Sequence, residues 1–138
     1  MPISPPPVRG SAKATWAGRI LSALPILLLL FDGTAKVMRL APVLEGTAKL
    51  GYPLGVVAPL GLVLIACTLL YALPRTSVLG ALLLTGYLGG AVATHVRMGD
   101  PLFSHVLFPT YVAALIWGGL FLREAHLRAL LPFVKPAP

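Results

Sequence analysis

Four apolar segments, residues 16–36, 54–73, 78–94 and 106–122, succeed one another along this chain with only short polar stretches between them. An α-helix rises ~1.5 Å per residue and a hydrocarbon core is ~30 Å thick, so each segment can cross a bilayer, the last two only just. A soluble fold could not cover so much apolar surface. The chain is 57% hydrophobic and 11% charged, against roughly 45–50% and about 25% in soluble domains. Lipid offers no partner to a free backbone polar group, which leaves helices as the way to span. The expected fold class is all-α, an integral membrane four-helix bundle with a short interfacial helix between spans 1 and 2. In this reading residues 1–15 are a disordered tail, 16–123 the membrane domain and 124–138 a tail along the membrane surface.

The formal charge of +7 does not point to nucleic acid. The eleven Lys and Arg residues are scattered singly between apolar blocks and form no patch or arm. They read instead as topology signals. Arg9, Lys13, Arg19, Arg75, Arg123, Arg128 and Lys135 fall on the side of the termini, and Lys36, Arg39, Lys49 and Arg97 on the other. The excess of positive charge predicts both termini in the cytoplasm. No small-x-small cleavage site follows Phe31, so the first segment is expected to stay as a span. Cys67, the single cysteine, lies inside an apolar segment; no internal disulfide, CxxC pair or cysteine zinc site can form.

Local signals refine the spans. Trp16 suits an interfacial anchor, Pro25 should bend the first span without ending it, and Pro109 falls in the first turn of the fourth, where proline is tolerated. Pro42 opens and Gly51 stops the short helix 42–50, with Glu45 and Lys49 as an i,i+4 pair and Val43, Leu44, Thr47 and Leu50 resting on the lipid or on the bundle. Gly86 and Gly90, and Ala114 and Gly118, form small-xxx-small pairs, expected to set helix packing or a homodimer face.

The polar groups concentrate in one place. The run Thr94-His95-Val96-Arg97-Met98-Gly99-Asp100-Pro101, followed by His105, falls between the third and fourth spans on the face away from the termini. Asp32 and Lys36, one helical turn apart, lie near the same level at the end of the first span. An ionised group inside a span is costly and should face the bundle with a partner. Asp32 is thus a proton or ligand group, or half of a self-contained pair with Lys36. Tyr87, Ala91 and Thr94 or His95 share a stripe of the third span. The predicted site is a convergence of Asp32, Lys36, Tyr87, His95, Arg97, Asp100 and His105 at one mouth of the bundle. Each histidine alone could equally be an interfacial residue bonded to a headgroup or carbonyl. No third ligand stands at metal spacing, so neither metal nor haem is expected.

With these residues in view, the chain resembles the DoxX-like family of small four-span bacterial membrane proteins. The likeness rests on Phe31-Asp32-Gly33-Thr34-Ala35-Lys36, on Leu50-Gly51-Tyr52-Pro53, and above all on GYLGGAVATHVRMGDPLFSHVLFP from Gly86 to Pro109, and covers about residues 17–132. It implies a bundle in the bacterial cytoplasmic membrane. Named relatives are associated with thiosulfate:quinone oxidoreductase subunits and with membrane complexes handling thiol or oxidative stress; no catalytic motif carries over. Two functions are expected from different classes. One is a redox-linked subunit that binds a quinone near the outer mouth, with His95, Asp32 and Tyr87 as hydrogen-bonding or proton-transfer groups; lacking an electron carrier, it needs a soluble or membrane oxidoreductase partner. The other is a scaffold or small transport component, although the second span and the inner half of the first, where only Ser22 is polar, offer no polar path through the bundle.

Overall fold

The computed structural model describes residues 11–130. The chain runs α1 (Ala12–Val37), α2 (Ala41–Lys49), a 3-10 turn (Leu54–Val56), α3 (Val57–Ala72), α4 (Ser77–Met98), a π turn (Leu102–Val106), α5 (Phe108–Arg123) and α6 (Ala125–Leu130). Four helical stretches are long and apolar enough to span a membrane: Ala12–Val37, Leu54–Ala72, Ser77–Met98 and Leu102–Arg123. Among the described residues no strand forms. Of the two expected tails, residues 1–10 and 131–138 lie outside the described part.

The four spans form an up-and-down bundle. α1 and α4 each pack against both α3 and α5, so α1 and α4 face each other diagonally. Glycines make the tight contacts. A methyl on Gly119 of α5 would lie 2.5 Å from Ser22 Oγ of α1, and one on Gly61 of α3 would lie 2.7 Å from the Gly33 carbonyl of α1. At Gly80 it would meet the Tyr71 backbone nitrogen at 2.1 Å, across the α3–α4 turn. The sequence expectation therefore needs correcting. Gly86, Gly90 and Gly118 have open space where a methyl would stand, and Ala114 is exposed, so neither pair sets packing within the chain. A small-xxx-small pattern records that close approach is possible, not which neighbour uses it.

The core fills the end of the bundle nearer the chain termini. Leu64, Tyr71, Ala81, Leu84, Ile116 and Leu120 are fully buried there, with Leu29, Leu88 and Val112 above them. Most polar groups at this depth are satisfied, the buried Arg123 Nε being the exception among the described residues. The Tyr71 hydroxyl is hydrogen-bonded to the Ile116 carbonyl at 2.8 Å and to Ser22 Oγ at 2.9 Å. The Thr68 hydroxyl donates to the Leu64 carbonyl. Arg123 donates through a terminal guanidinium nitrogen to the Tyr71 carbonyl at 2.9 Å, an orphan acceptor at the end of α3, and its guanidinium stacks over the Tyr71 ring.

At the other end α2 lies across the bundle. Thr47 is buried, and Val43, Leu44 and Leu50 are half-buried on the same face; of the two expected neighbours, lipid or bundle, this face meets the bundle. Gly51 ends the helix with φ +82°, a left-handed conformation that glycine adopts without a side-chain clash. Two expectations fail here. Glu45 and Lys49 form no ion pair; the described residues hold two, Lys36–Asp32 and His95–Asp100. And α4 does not stop at Thr94 but continues to Met98, closed by Gly99 at φ +71° and by the Asp100 N–H donating to the His95 carbonyl. Thr94, His95 and Arg97 are thus helical residues.

Candidate functional site

Between the diagonal helices, at the α2 end, is a cavity of about 650 Å³. It exists because α1 and α5 converge at the terminal end and separate at this one. Ser22 touches Gly119, and ten residues farther along each antiparallel helix, ~15 Å up the axis, Asp32 and Pro109 both line the cavity. Leu29, Leu88 and Val112 make its floor and Leu60 part of its wall.

On α1 the stripe Leu28, Asp32, Lys36 turns into this space at i, i+4 spacing. The contact of Gly33 with Gly61 holds α1 against α3 at the same level. Lys36 Nζ donates to Asp32 Oδ2, which makes the pair self-neutralising and leaves Asp32 Oδ1 without a hydrogen-bond partner among the described residues. An ion pair is what an acid inside a span requires, and this one is partly open, with the Asp32 side chain 42% exposed.

On α4 the stripe is Tyr87, Ala91, Thr94 and His95. Gly86 and Gly90, the glycines that make no helix contact, line the cavity beside it and keep that wall thin. The Tyr87 hydroxyl has no hydrogen-bond partner among the described residues. Thr94 donates to the Gly90 carbonyl at 2.9 Å, so its oxygen accepts from the Tyr52 hydroxyl at 2.7 Å. Tyr52 thereby ties the chain entering α3 to the wall of the cavity.

His95 is held from the far side of its ring. Its Nδ1 lies 2.6 Å from Asp100 Oδ2, and a carboxylate can only accept, so Nδ1 carries the proton. This leaves Nε2, unpartnered among the described residues, as the ring nitrogen free to accept a hydrogen bond. The Gly99 turn makes the contact possible by folding Asp100 back over the last turn of α4.

His95, Asp32 and Lys36 also line a second, more polar space of about 420 Å³ that includes Lys49, Asp100 and His105. His105 stands on the π turn, exposed, with its Nδ1 2.8 Å from Ser104 Oγ and its ring edge-on to His95 at 5.9 Å between centroids. The turn's wide i→i+5 bonds, Val106 to Pro101 and Leu107 to Leu102, put His105 at this position. The two spaces share residues, so the apolar cavity continues into a polar vestibule at the bundle end.

Of the residues singled out from sequence, Asp32, Lys36, Tyr87 and His95 line the main cavity, and Asp100 and His105 the vestibule. Arg97 lines neither. One turn past Ala93 on the exposed side of α4, it donates to the Leu50 carbonyl at 3.0 Å and secures the end of α2. Sequence reasoning missed Tyr52 and Thr47 as lining residues. Tyr52 follows a turn glycine and precedes a proline, which reads as a loop; only the fold brings it to Thr94, forty-two positions on. Among the described residues no group of three His, Cys, Asp or Glu side chains could hold a metal ion. Cys67 is buried, as expected.

Fold and site together define a multi-pass α-helical membrane protein with a polar pocket at one end of its bundle. The sequence profile of the DoxX-like family matches residues 20–119. The chain belongs to that family. No curated protein and no solved structure matches it.

Proposed function

We propose that this protein is a redox-linked membrane subunit whose cavity binds a quinone. One observation carries the reading: a mostly apolar chamber inside a membrane bundle is lined, on two facing helices, by four proton-bearing groups. Asp32, Lys36, Tyr87 and His95 surround it. The chamber's ~650 Å³ lies within the 300–1,000 Å³ typical of small-molecule sites, which are mostly apolar with a few placed polar groups. A flat, conjugated cyclic dione fits such a lining: its ring needs apolar walls and its carbonyl oxygens need donors.

A bound quinone supplies the electron-accepting ring, and a partner oxidoreductase supplies the electrons. The chain's own residues bind, orient and move protons. The Tyr87 hydroxyl and Lys36 Nζ are donors for ring oxygens. His95, with Nδ1 fixed by Asp100, exchanges its proton at Nε2 in the manner of a histidine oriented by a carboxylate. His105, exposed at the vestibule, is the group nearest water. By the excess of positive charge on the terminal side, both termini are cytoplasmic and the vestibule opens on the outer face.

Photolabelling of purified protein in lipid nanodiscs with a short-tailed azidoquinone tests the reading. Labelled peptides are expected from the second half of α1 and from α4, with the yield falling about tenfold in His95→Ala. Equal labelling of wild type and His95→Ala contradicts it.

A further inference from the structure

The cavity has a second side, toward the lipid. Phe31 lines it, yet Phe31 also continues the outward row Ile20, Leu24, Leu27 of α1 and is 73% exposed. Across the gap, Phe108 at the start of α5 lines the same cavity and is 50% exposed. A side chain that belongs both to the lipid-facing surface and to the lining of a cavity marks a place where the wall between them is one residue thick. Leu28, one turn below Phe31, is 41% exposed and does the same.

The cause lies in the helix crossing already described. α1 and α5 touch at Gly18, Ser22 and Gly119, close because the two glycines carry no Cβ, whereas at the level of Asp32 and Pro109 both helices line the cavity. The gap is flanked by the apolar Leu28, Phe31 and Phe108, with the partly exposed Asp32 beside Phe31. The other polar groups lie on the α4 side and toward the α2 end. A polar molecule from water would reach the cavity through the vestibule, past Lys49 and Asp100. A molecule dissolved in the bilayer meets the Phe31–Phe108 gap first.

The geometry points to a ligand with a long apolar tail, an isoprenoid or acyl chain, that enters sideways from the bilayer between α1 and α5 and keeps its tail in that gap while its head sits against Asp32, Lys36, Tyr87 and His95. This rests on the quinone reading and adds to it the class of quinone and its route. Tail methylenes lying between Phe31 and Phe108 stay in contact with apolar side chains and lipid, so nothing polar is desolvated there. The head replaces the water that reaches the cavity from the vestibule.

The test uses full-length protein in nanodiscs and two series of benzoquinones, tailless and isoprenoid-tailed, competing against a photoreactive short-tailed quinone. Phe31→Trp and Phe108→Trp together narrow the gap at exposed positions that carry no packing load, and leave partitioning into the disc unchanged. The tailed compounds are expected to lose about tenfold in competition against the double variant and the tailless ones to lose nothing. A quinone carrying its photoreactive group at the tail end should label α1 near Leu28 and Phe31 and α5 near Phe108. Equal loss for both series, or tail-end labelling of the vestibule residues Val43 to Lys49, overturns lateral entry while leaving the quinone reading standing. No binding by either series in wild type overturns both.

Discussion

At the scale of single residues, glycine and tyrosine decide most of what holds this bundle together. Replacing a helical glycine by alanine ordinarily stabilises a helix by roughly 0.5–1 kcal/mol. At Gly119 that gain is outweighed, because the new methyl would stand 2.5 Å from Ser22 Oγ and 2.8 Å from its backbone nitrogen. Gly119→Ala is expected to destabilise by about 1–3 kcal/mol, the usual range for overpacking, and Gly90→Ala, facing open space, to leave stability unchanged or raise it. Unfolding in mixed detergent micelles by SDS titration separates the two signs. Tyr71→Phe removes a buried hydroxyl bonded to both Ser22 and Ile116 and leaves the Ile116 carbonyl short of that partner. A loss of about 1–3 kcal/mol is expected in the same titration. The sequence does not tell these residues apart: Gly119 and Gly90 sit in similar apolar surroundings, and only the identity of the neighbouring helix makes one a contact and the other a wall.

Among the elements, α2 and the Gly99–Val106 connection close the site without spanning anything. α2 is held by Arg97 on the Leu50 carbonyl and by Tyr52 on Thr94, two bonds from α4 to the segment between α2 and α3. Removing both, in Arg97→Gln with Tyr52→Phe, should free the end of α2 while the spans stay folded. Hydrogen exchange followed by mass spectrometry should then accelerate in Ala41–Lys49 and remain unchanged in α3 and α5; uniform acceleration would show that the pair supports the whole fold instead. The spans themselves are legible in sequence, since hydropathy reads segment length directly, and so is the face of α2 that carries Val43, Leu44, Thr47 and Leu50, but not whether lipid or the bundle covers it. The end of α4 is misread for a physical reason. Thr94 to Met98 is polar enough to look like a turn, but the His95 and Val96 carbonyls are satisfied by the Gly99 cap, and Gly99 followed by Asp-Pro is a stop signal that places the helix end four residues later than hydropathy does. The convergence of Asp32, Lys36, Tyr87 and His95 is readable as a shared depth and a shared stripe. The departure of Arg97 to Leu50 is not, because it depends on where α2 comes to rest.

For the molecule as a whole, four antiparallel spans place the two described ends, Ser11 and Leu130, on one side and the vestibule on the other, and the proposed orientation rests on the excess of Lys and Arg toward those ends. Single cysteines introduced at Ser11 and at Ser104, both exposed, should react differently in intact cells: Ser104→Cys with an impermeant maleimide added outside, Ser11→Cys only after permeabilisation. Buried Cys67 gives little background. The reverse pattern would invert the molecule and turn the vestibule toward the cytoplasm. The central claim is that the DoxX-like bundle encloses one chamber in which groups from α1 and α4 meet a quinone head. A crystal grown in lipidic mesophase and soaked with a bromine-labelled benzoquinone tests it in a single anomalous difference map. The account predicts one principal bromine peak inside the bundle, bounded by Asp32, Lys36, Tyr87 and His95. A map with no peak there, or with peaks only on the outer surface of the helices, would contradict it.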